Sequence, residues 1–261
     1  MRLVSLTSSN TEIVWALGCP DWLVGVDDHS DFPPQVAQIP KVGPDLQIDL
    51  DKVEALRPDL VLASLSVPGM ERVVGGLEKR GLPHLVLDPQ TLPDVYEDIR
   101  RVARALGVEL QGQHVVRAMQ QKIAQARGSL PHWVRPPKVV VEWWPRPMIA
   151  AGKDRWVKKM LEGLGAENAF AHLPVRSKPL TPAEVEEAQP DLIAVSWCGA
   201  KKLRPEVVLG RKLDIPALRN GQVFALEEAY LGRPGPRLAE GVKRLAELLR
   251  NVPVWQHGAR P

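Results

Sequence analysis

The chain has only two cysteines in 261 residues, Cys19 and Cys198, one in each half. A disulfide scaffold needs more than that, so two separate thiols are expected rather than a bridge. Catalytic signatures are missing as well. There is no GxSxG elbow and no CxxC, and Cys198 has no base visible beside it, so nucleophilic catalysis has no support. Without GxGxxG or a Walker lysine loop, nucleotide binding has none either. The six histidines show no HExxH or histidine-rich spacing. A directly bound transition metal and an intrinsic cofactor are therefore not expected, even though His29 stands between Asp28 and Asp31. A metal-cluster enzyme built on paired lobes would need several more cysteine or histidine ligands. Basic and acidic side chains nearly balance, 34 against 31, and the net charge of +3 is too mild to argue for nucleic acid. No apolar run reaches the length of a membrane span. Residues Arg2–Leu6 read as a folded strand rather than a secretory signal, so the expectation is a cytoplasmic protein or one whose signal has been removed.

What is present is a globular composition, 44% hydrophobic and 25% charged, with 25 prolines that suit a stiff chain. One phrase occurs twice. Residues 49–64 read DLDKVEALRPDLVLAS and residues 181–197 read TPAEVEEAQPDLIAVSW. Each is a short acidic helix stopped at Pro58 or Pro190, because the residue before a proline is pushed out of the α region. Each then enters an apolar run, Leu60–Ala63 or Leu192–Val195, of the kind found in a parallel strand buried on both faces. A unit repeated at such separation predicts two similar lobes.

The first lobe, residues 1–91, alternates strand and helix. Strands are expected at Leu3–Leu6, Leu23–Val26, Leu60–Ala63 and His84–Leu87, with helices at Ile13–Leu17 and Glu71–Lys79. Ser9 and Glu12 have the form of a capping box. Residues 92–130 carry helical spacing over Asp94–Leu106 and Gln113–Arg127, interrupted only at Gly107 and Gly112, and suit a helical strut better than a Gly/Ser linker. The second lobe, residues 131–261, restarts with strands at Lys138–Glu142, Leu192–Ser196 and Gln222–Leu226 and helices at Arg155–Leu164 and Pro236–Arg250. The fold class is thus α/β, two Rossmann-like lobes with mainly parallel sheets joined by one long backbone helix, with a ligand cleft between them.

Ligands of open parallel sheets gather at the carboxyl ends of strands. That rule nominates Thr7, Ser8, Ser9, Asn10, Asp28, His29, Ser64, Leu65, Ser66 and Asp88 from the first lobe, and Trp143, Trp144, Arg146, Ser196, Trp197, Glu227, Glu228, Tyr230 and Arg233 from the second. Two adjacent indoles at a strand end cannot both enter one core, so Trp143 or Trp144 is expected to offer a flat face to a planar ligand. Arg233, in a turn of glycine and proline, could give a fixed fork to an anionic or amide oxygen, or pair with Glu227 or Glu228. Trp15, Trp22, Trp133, Trp156 and Trp255 read as packing.

The segments RLVSLTSSNTEIVWALG, LVGVDDHSDFPPQVAQIPKVG, LDKVEALRPDLVLAS and GKDRWVKKMLEGLGAENAF together resemble the helical-backbone (class III) substrate-binding proteins of ABC importers. The cobalamin-binding periplasmic members are the nearest in pattern. The resemblance implies a non-enzymatic, monomeric receptor that clamps cobalamin, a ferric siderophore or haem, and an acidic residue on each lobe that docks a permease. Asp51 takes the first docking position. Ala183 takes the second, with Glu184 beside it as the substitute. Trp143 and Arg233 fall where the cobalamin binder has a cleft aromatic and a cleft arginine. His29 falls at a cleft tyrosine, and Asp45, Ser64 and Ser177 fall at tryptophans. The function so implied is binding of a cobalamin-like corrinoid or another metal chelate for an ABC importer, outside the cytoplasm. The alternatives are a siderophore or haem binder, and a cytoplasmic corrinoid or haem carrier without a permease.

Overall fold

A computed structural model describes residues 1–153, 156–175, 177–200 and 202–254. Arg155 and Trp255, assigned above to a helix and to packing, lie outside the described residues. The chain divides into two compact units, Met1–Ala118 with Pro234–Pro236, and Met119–Arg233 with Arg237–Pro261. The division falls inside one helix.

The first unit runs β1 (Leu3–Ser5), α1 (Ser8–Ala16), β2 (Leu23–Val26), α2 (Leu50–Ala55), β3 (Leu60–Ser64), α3 (Glu71–Lys79), β4 (His84–Leu87), α4 (Leu92–Ala105) and the start of α5 (Glu109–Gly128). Its sheet has the order β2-β1-β3-β4 and every pair is parallel. Val4, Leu6, Val61 and Ala63 belong to its core with Val53 and Leu77 of the covering helices.

The second unit continues with β5 (Lys138–Pro145), β6 (Met148–Ala151), α6 (Trp156–Gly163), β7 (Glu167–Asn168), β8 (Ser177–Leu180), α7 (Pro182–Ala188), β9 (Leu192–Val195), α8 (Pro205–Leu209), α9 (Pro216–Arg219), β10 (Val223–Ala225), α10 (Glu228–Leu231) and α11 (Leu238–Leu249). Strands β10, β9 and β5 are parallel, whereas β6 and β8 extend the sheet antiparallel. The β5–β6 hairpin turns at Arg146-Pro147. Strands β6 and β8 carry no β-branched run, which is why they are not visible in the sequence pattern.

The repeated phrase builds the same device in both units. Asp49 and Thr181 cap α2 and α7, accepting hydrogen bonds from the backbone N–H of Lys52 and Glu184. Both helices end at a non-glycine residue in the left-handed region, Arg57 and Gln189, each at φ 47°. Each is followed by a buried proline. Next comes the aspartate. Asp59 Oδ2 accepts the N–H of Arg2 at 2.6 Å, and Asp191 Oδ2 accepts that of Lys138 at 2.8 Å. In return, the N–H of Asp59 donates to the carbonyl of Arg2 and that of Asp191 to the carbonyl of Lys138, both at 2.8 Å. The motif therefore clamps the chain where each central strand begins, at Arg2 just before β1 and at Lys138, the first residue of β5.

Helix α1 starts earlier than the sequence pattern suggested. Thr7, in extended geometry, caps it through its side chain, so Ser9 sits in the first turn and Glu12 is buried on the helix rather than closing a capping box. Gly112 lies inside α5, not at a break. A Cβ there would stand 2.5 Å from the Cβ of Ala103, so the glycine permits close approach of α4 and α5.

Alanine at position 112 would gain helix propensity of about 1 kcal/mol, but a 2.5 Å methyl contact between backbone-anchored atoms outweighs it. Gly112→Ala is expected to lower stability by about 1–3 kcal/mol. A double-mutant cycle with Ala103→Gly should show a favourable coupling, and additive behaviour would refute the contact.

Asp98, 5% exposed on α4, is pushed up to about 6 by burial, against the opposing pull of Arg101 at 2.8 Å. A carboxyl whose folded pKa is raised stabilises the fold while it is protonated. Stability should therefore fall as pH rises from about 4 to about 6, by about 3 kcal/mol from this group. Denaturant midpoints measured across that window should show the slope, and Asp98→Asn should flatten it.

Candidate functional site

In the first unit the strand ends are polar and internally bonded. Thr7, Ser8, Ser9 and Asn10 are all buried. The Asn10 amide donates to the carbonyl of Ala63 at 3.1 Å, tying α1 to the end of β3. Gly235 covers the same turn, with space for its Cβ only 3.4 Å from the Ser9 carbonyl. Ser64 Oγ donates to Ser66 Oγ at 2.9 Å and accepts the Ser66 N–H at 3.1 Å. Beneath them runs a chain of hydroxyls. Thr11 Oγ1 donates to Ser5 Oγ at 2.8 Å and lies 2.7 Å from Ser30 Oγ, which donates to Asp27 at 2.5 Å. Asp27 is fully buried; loss of water raises its pKa, while Ser30 and the His29 N–H pull it down. His29 itself is exposed, with Nε2 3.8 Å from Asp45 Oδ1.

In the second unit Trp143 is half-buried at the end of β5, and its neighbour Trp144 is 47% exposed. Trp197 is different. It is 5% exposed, belongs to the core cluster of this unit and donates from Nε1 to Glu142 Oε1 at 2.9 Å. Glu142 is the residue that sequence reasoning missed. Its side chain is completely buried and held by a fork from Arg211, Nη1 to Oε2 at 2.6 Å and Nη2 to Oε1 at 2.9 Å. Arg211 Nη2 also donates to the carbonyl of Pro145 at 3.2 Å. One signal was available: Glu142 ends a run of three valines, where a charge has to find a partner. Nothing in the sequence names Arg211 as that partner.

Tyr230 has guanidinium groups 4.5 Å and 4.0 Å from its ring centroid, from Arg237 and Arg244, and its hydroxyl accepts from Arg244 at 3.1 Å. Arg233, only 15% exposed, donates from Nε to Glu228 at 3.4 Å, the ion pair weighed above as its alternative role. The two acids nominated for docking are also engaged within the chain. Asp51 is 84% exposed but pairs with Arg80 at 2.6 Å. Glu184 closes the capping box of α7 and binds Lys178, and these bonds together hold its pKa down to about 2. Cys19 is buried, Cys198 is exposed, and no disulfide joins them. Among the described residues no three His, Cys, Asp or Glu side chains gather as a metal site, and no helix is long and apolar enough to cross a membrane.

Parallel βα units with polar and aromatic strand ends, and with buried charges used as internal ties, define a solute-binding α/β protein. The chain belongs to the periplasmic binding protein family, whose profile matches residues 3–230. It is 33% identical over 251 residues to the uncharacterized ABC transporter substrate-binding lipoprotein YvrC of Bacillus subtilis (strain 168), a match covering 94% of this chain and 79% of that protein. It is 25% identical over 253 residues to the vitamin B12-binding protein of Vibrio parahaemolyticus serotype O3:K6, covering 96% and 90%. Among solved structures, the periplasmic heme-binding protein RhuT from Roseiflexus sp. RS-1 superposes with a TM-score of 0.81 at 28% identity, covering 96% of this chain and 98% of that one. The family is one of non-enzymatic transport components.

Removing one partner of a buried ion pair leaves the other charge without compensation. Arg211→Met is therefore expected to destabilise the protein by about 3–5 kcal/mol. Adding Glu142→Leu to it should restore much of that loss, since the apolar pair needs no compensation. Equal destabilisation by the single and double variants in urea titrations would refute the pairing.

Proposed function

We propose that this protein is the substrate-binding component of an ABC-type importer, acting outside the cytoplasm as a monomer, and that it takes a flat metal chelate of the corrinoid or haem class. Family membership along most of the chain supports the transport role. The observation that carries the ligand class is the Trp143-Trp144 pair at the end of β5, two indoles that the core of their unit does not absorb. A flat chelate face laid on an indole gains contact and excludes water from both surfaces. The vitamin B12 binder and the heme binder among the relatives favour the same shape of ligand.

Ser8, Ser9, Asn10, Ser64 and Ser66 would give a polar rim, and exposed His29 an imidazole able to approach a metal. Trp197 and Tyr230 serve this reading as supports for Trp143 and Arg233 rather than as stacking faces, because their own surfaces are already used. Asp51, whose carboxylate stays exposed beside Arg80, is the better of the two candidate handles for a permease.

The test is a titration of the purified protein with cyanocobalamin and, separately, with haemin, followed by tryptophan quenching and visible absorption. Loss of a stacking indole removes about 1–3 kcal/mol, so Trp143→Ala should weaken binding about tenfold or more. Trp22→Ala should leave it unchanged. Failure of both chromophores to bind at about 10 μM would overturn the proposed ligand class.

A further inference from the structure

The second unit contains a cavity of about 480 Å³ that the reading above does not use. It lies beside the β5–β6 hairpin and the first turn of α7, and its apolar wall includes Met148, Leu180, Val185 and Leu213. Pro145, Pro147 and Pro182 complete that wall, so much of it is made of residues with little freedom to collapse into the space.

Three cations line the same cavity, and they are not equivalent. Arg211 is spent on the fully buried Glu142. Arg146 and Lys212 are exposed and have no ion pair or side-chain hydrogen bond to any described residue. Three carboxylates of the neighbouring segments are already engaged: Glu184 is held by Lys178 and its cap, Glu186 by the N–H of Asp214, and Asp214 by Arg219. An open apolar pocket whose lining includes two exposed cations is complementary to a molecule with an apolar body and one negative end.

We propose that this cavity is a binding site for a small organic monoanion, an aromatic or branched aliphatic carboxylate. The body of the molecule fills the space against Met148 and Val185, and its carboxylate reaches Arg146 and Lys212. The site lies wholly within the second unit and does not depend on the identity of the chelate proposed above.

The full chain, labelled with methyl-¹³C methionine, gives a spectrum of only five methionines, in which Met148→Leu identifies the relevant signal. Phenylacetate is the probe. It should shift the Met148 methyl saturably. The neutral isostere phenylacetamide should bind about tenfold more weakly or worse, because it lacks the charge. The surface double variant Arg146→Gln/Lys212→Gln should lose a similar factor for phenylacetate while its thermal midpoint stays unchanged. The proposal is overturned by a Met148 methyl that does not move up to about 10 mM phenylacetate. Equal affinity for acid and amide, or full affinity in the double variant, would overturn it equally.

Discussion

An aspartate that pins the chain at the start of the central strand is the constraint on which each unit depends. Asp59 and Asp191 each accept a backbone N–H from a residue at the start of β1 or β5 and return their own N–H to its carbonyl. Register follows at once. Leu3 pairs with Leu60, and Val139 with Leu192, one residue beyond each clamp. In a sheet whose faces alternate, a slip of one position would exchange every side chain between faces. The clamp therefore decides which residues arrive at the strand ends and which way they point. The two versions differ in how they are reinforced. Asp191 is almost fully buried and also holds both Nη atoms of Arg135, at 2.7 and 2.8 Å, whereas no side-chain partner of that kind is seen at Asp59 among the described residues.

This explains why the twice-used phrase was the most readable part of the chain. Proline, aspartate and the left-handed residue before them act locally, through backbone geometry and hydrogen bonds that short sequence spans encode. Helix ends, strand runs and the repeat itself followed from that chemistry. Readings that needed a distant partner did not follow. Gly112 looked like a helix break because its reason for being glycine is Ala103 on another helix. Ser9 looked like a cap because Ser9 and Glu12 have the right spacing, yet Thr7 was already extended and took that role. Strands β6 and β8 lack a pattern of their own; β6 forms on the ladder that β5 offers, and β8 on that of β6.

At the candidate site the same division holds. That Trp143 and Trp144 do not both enter the core was legible from their adjacency alone; the first is half-buried and the second 47% exposed. Trp197 misled because its position at a strand end said nothing about Glu142 on the adjacent strand. A buried carboxylate requires compensation, and the indole N–H together with the Arg211 fork supplies it. Trp197 is thus a structural donor whose ring fills the core. The pair on β5 is held through its backbone, by the Cys198 N–H to the Trp143 carbonyl at 3.1 Å and by Arg211 to the neighbouring carbonyl of Pro145.

The two repeats end in Ser64-Leu65-Ser66 and Ser196-Trp197-Cys198, and comparing them shows where likeness stops. Both serines are buried at matching positions. Ser64 donates a hydrogen bond to Ser66, closing a small polar turn on itself. Ser196 has a cysteine at the corresponding place, and its hydroxyl finds no partner among the described residues. In the second repeat the polar work has moved to Glu142, which needs a bulky donor, and tryptophan replaces leucine to provide one. A single substitution of scaffold chemistry thereby turns a small polar strand end into a wall backed by a large aromatic core. The shared clamps keep the two units alike in frame, while the second repeat sets an indole donor to a buried carboxylate where the first has an apolar leucine.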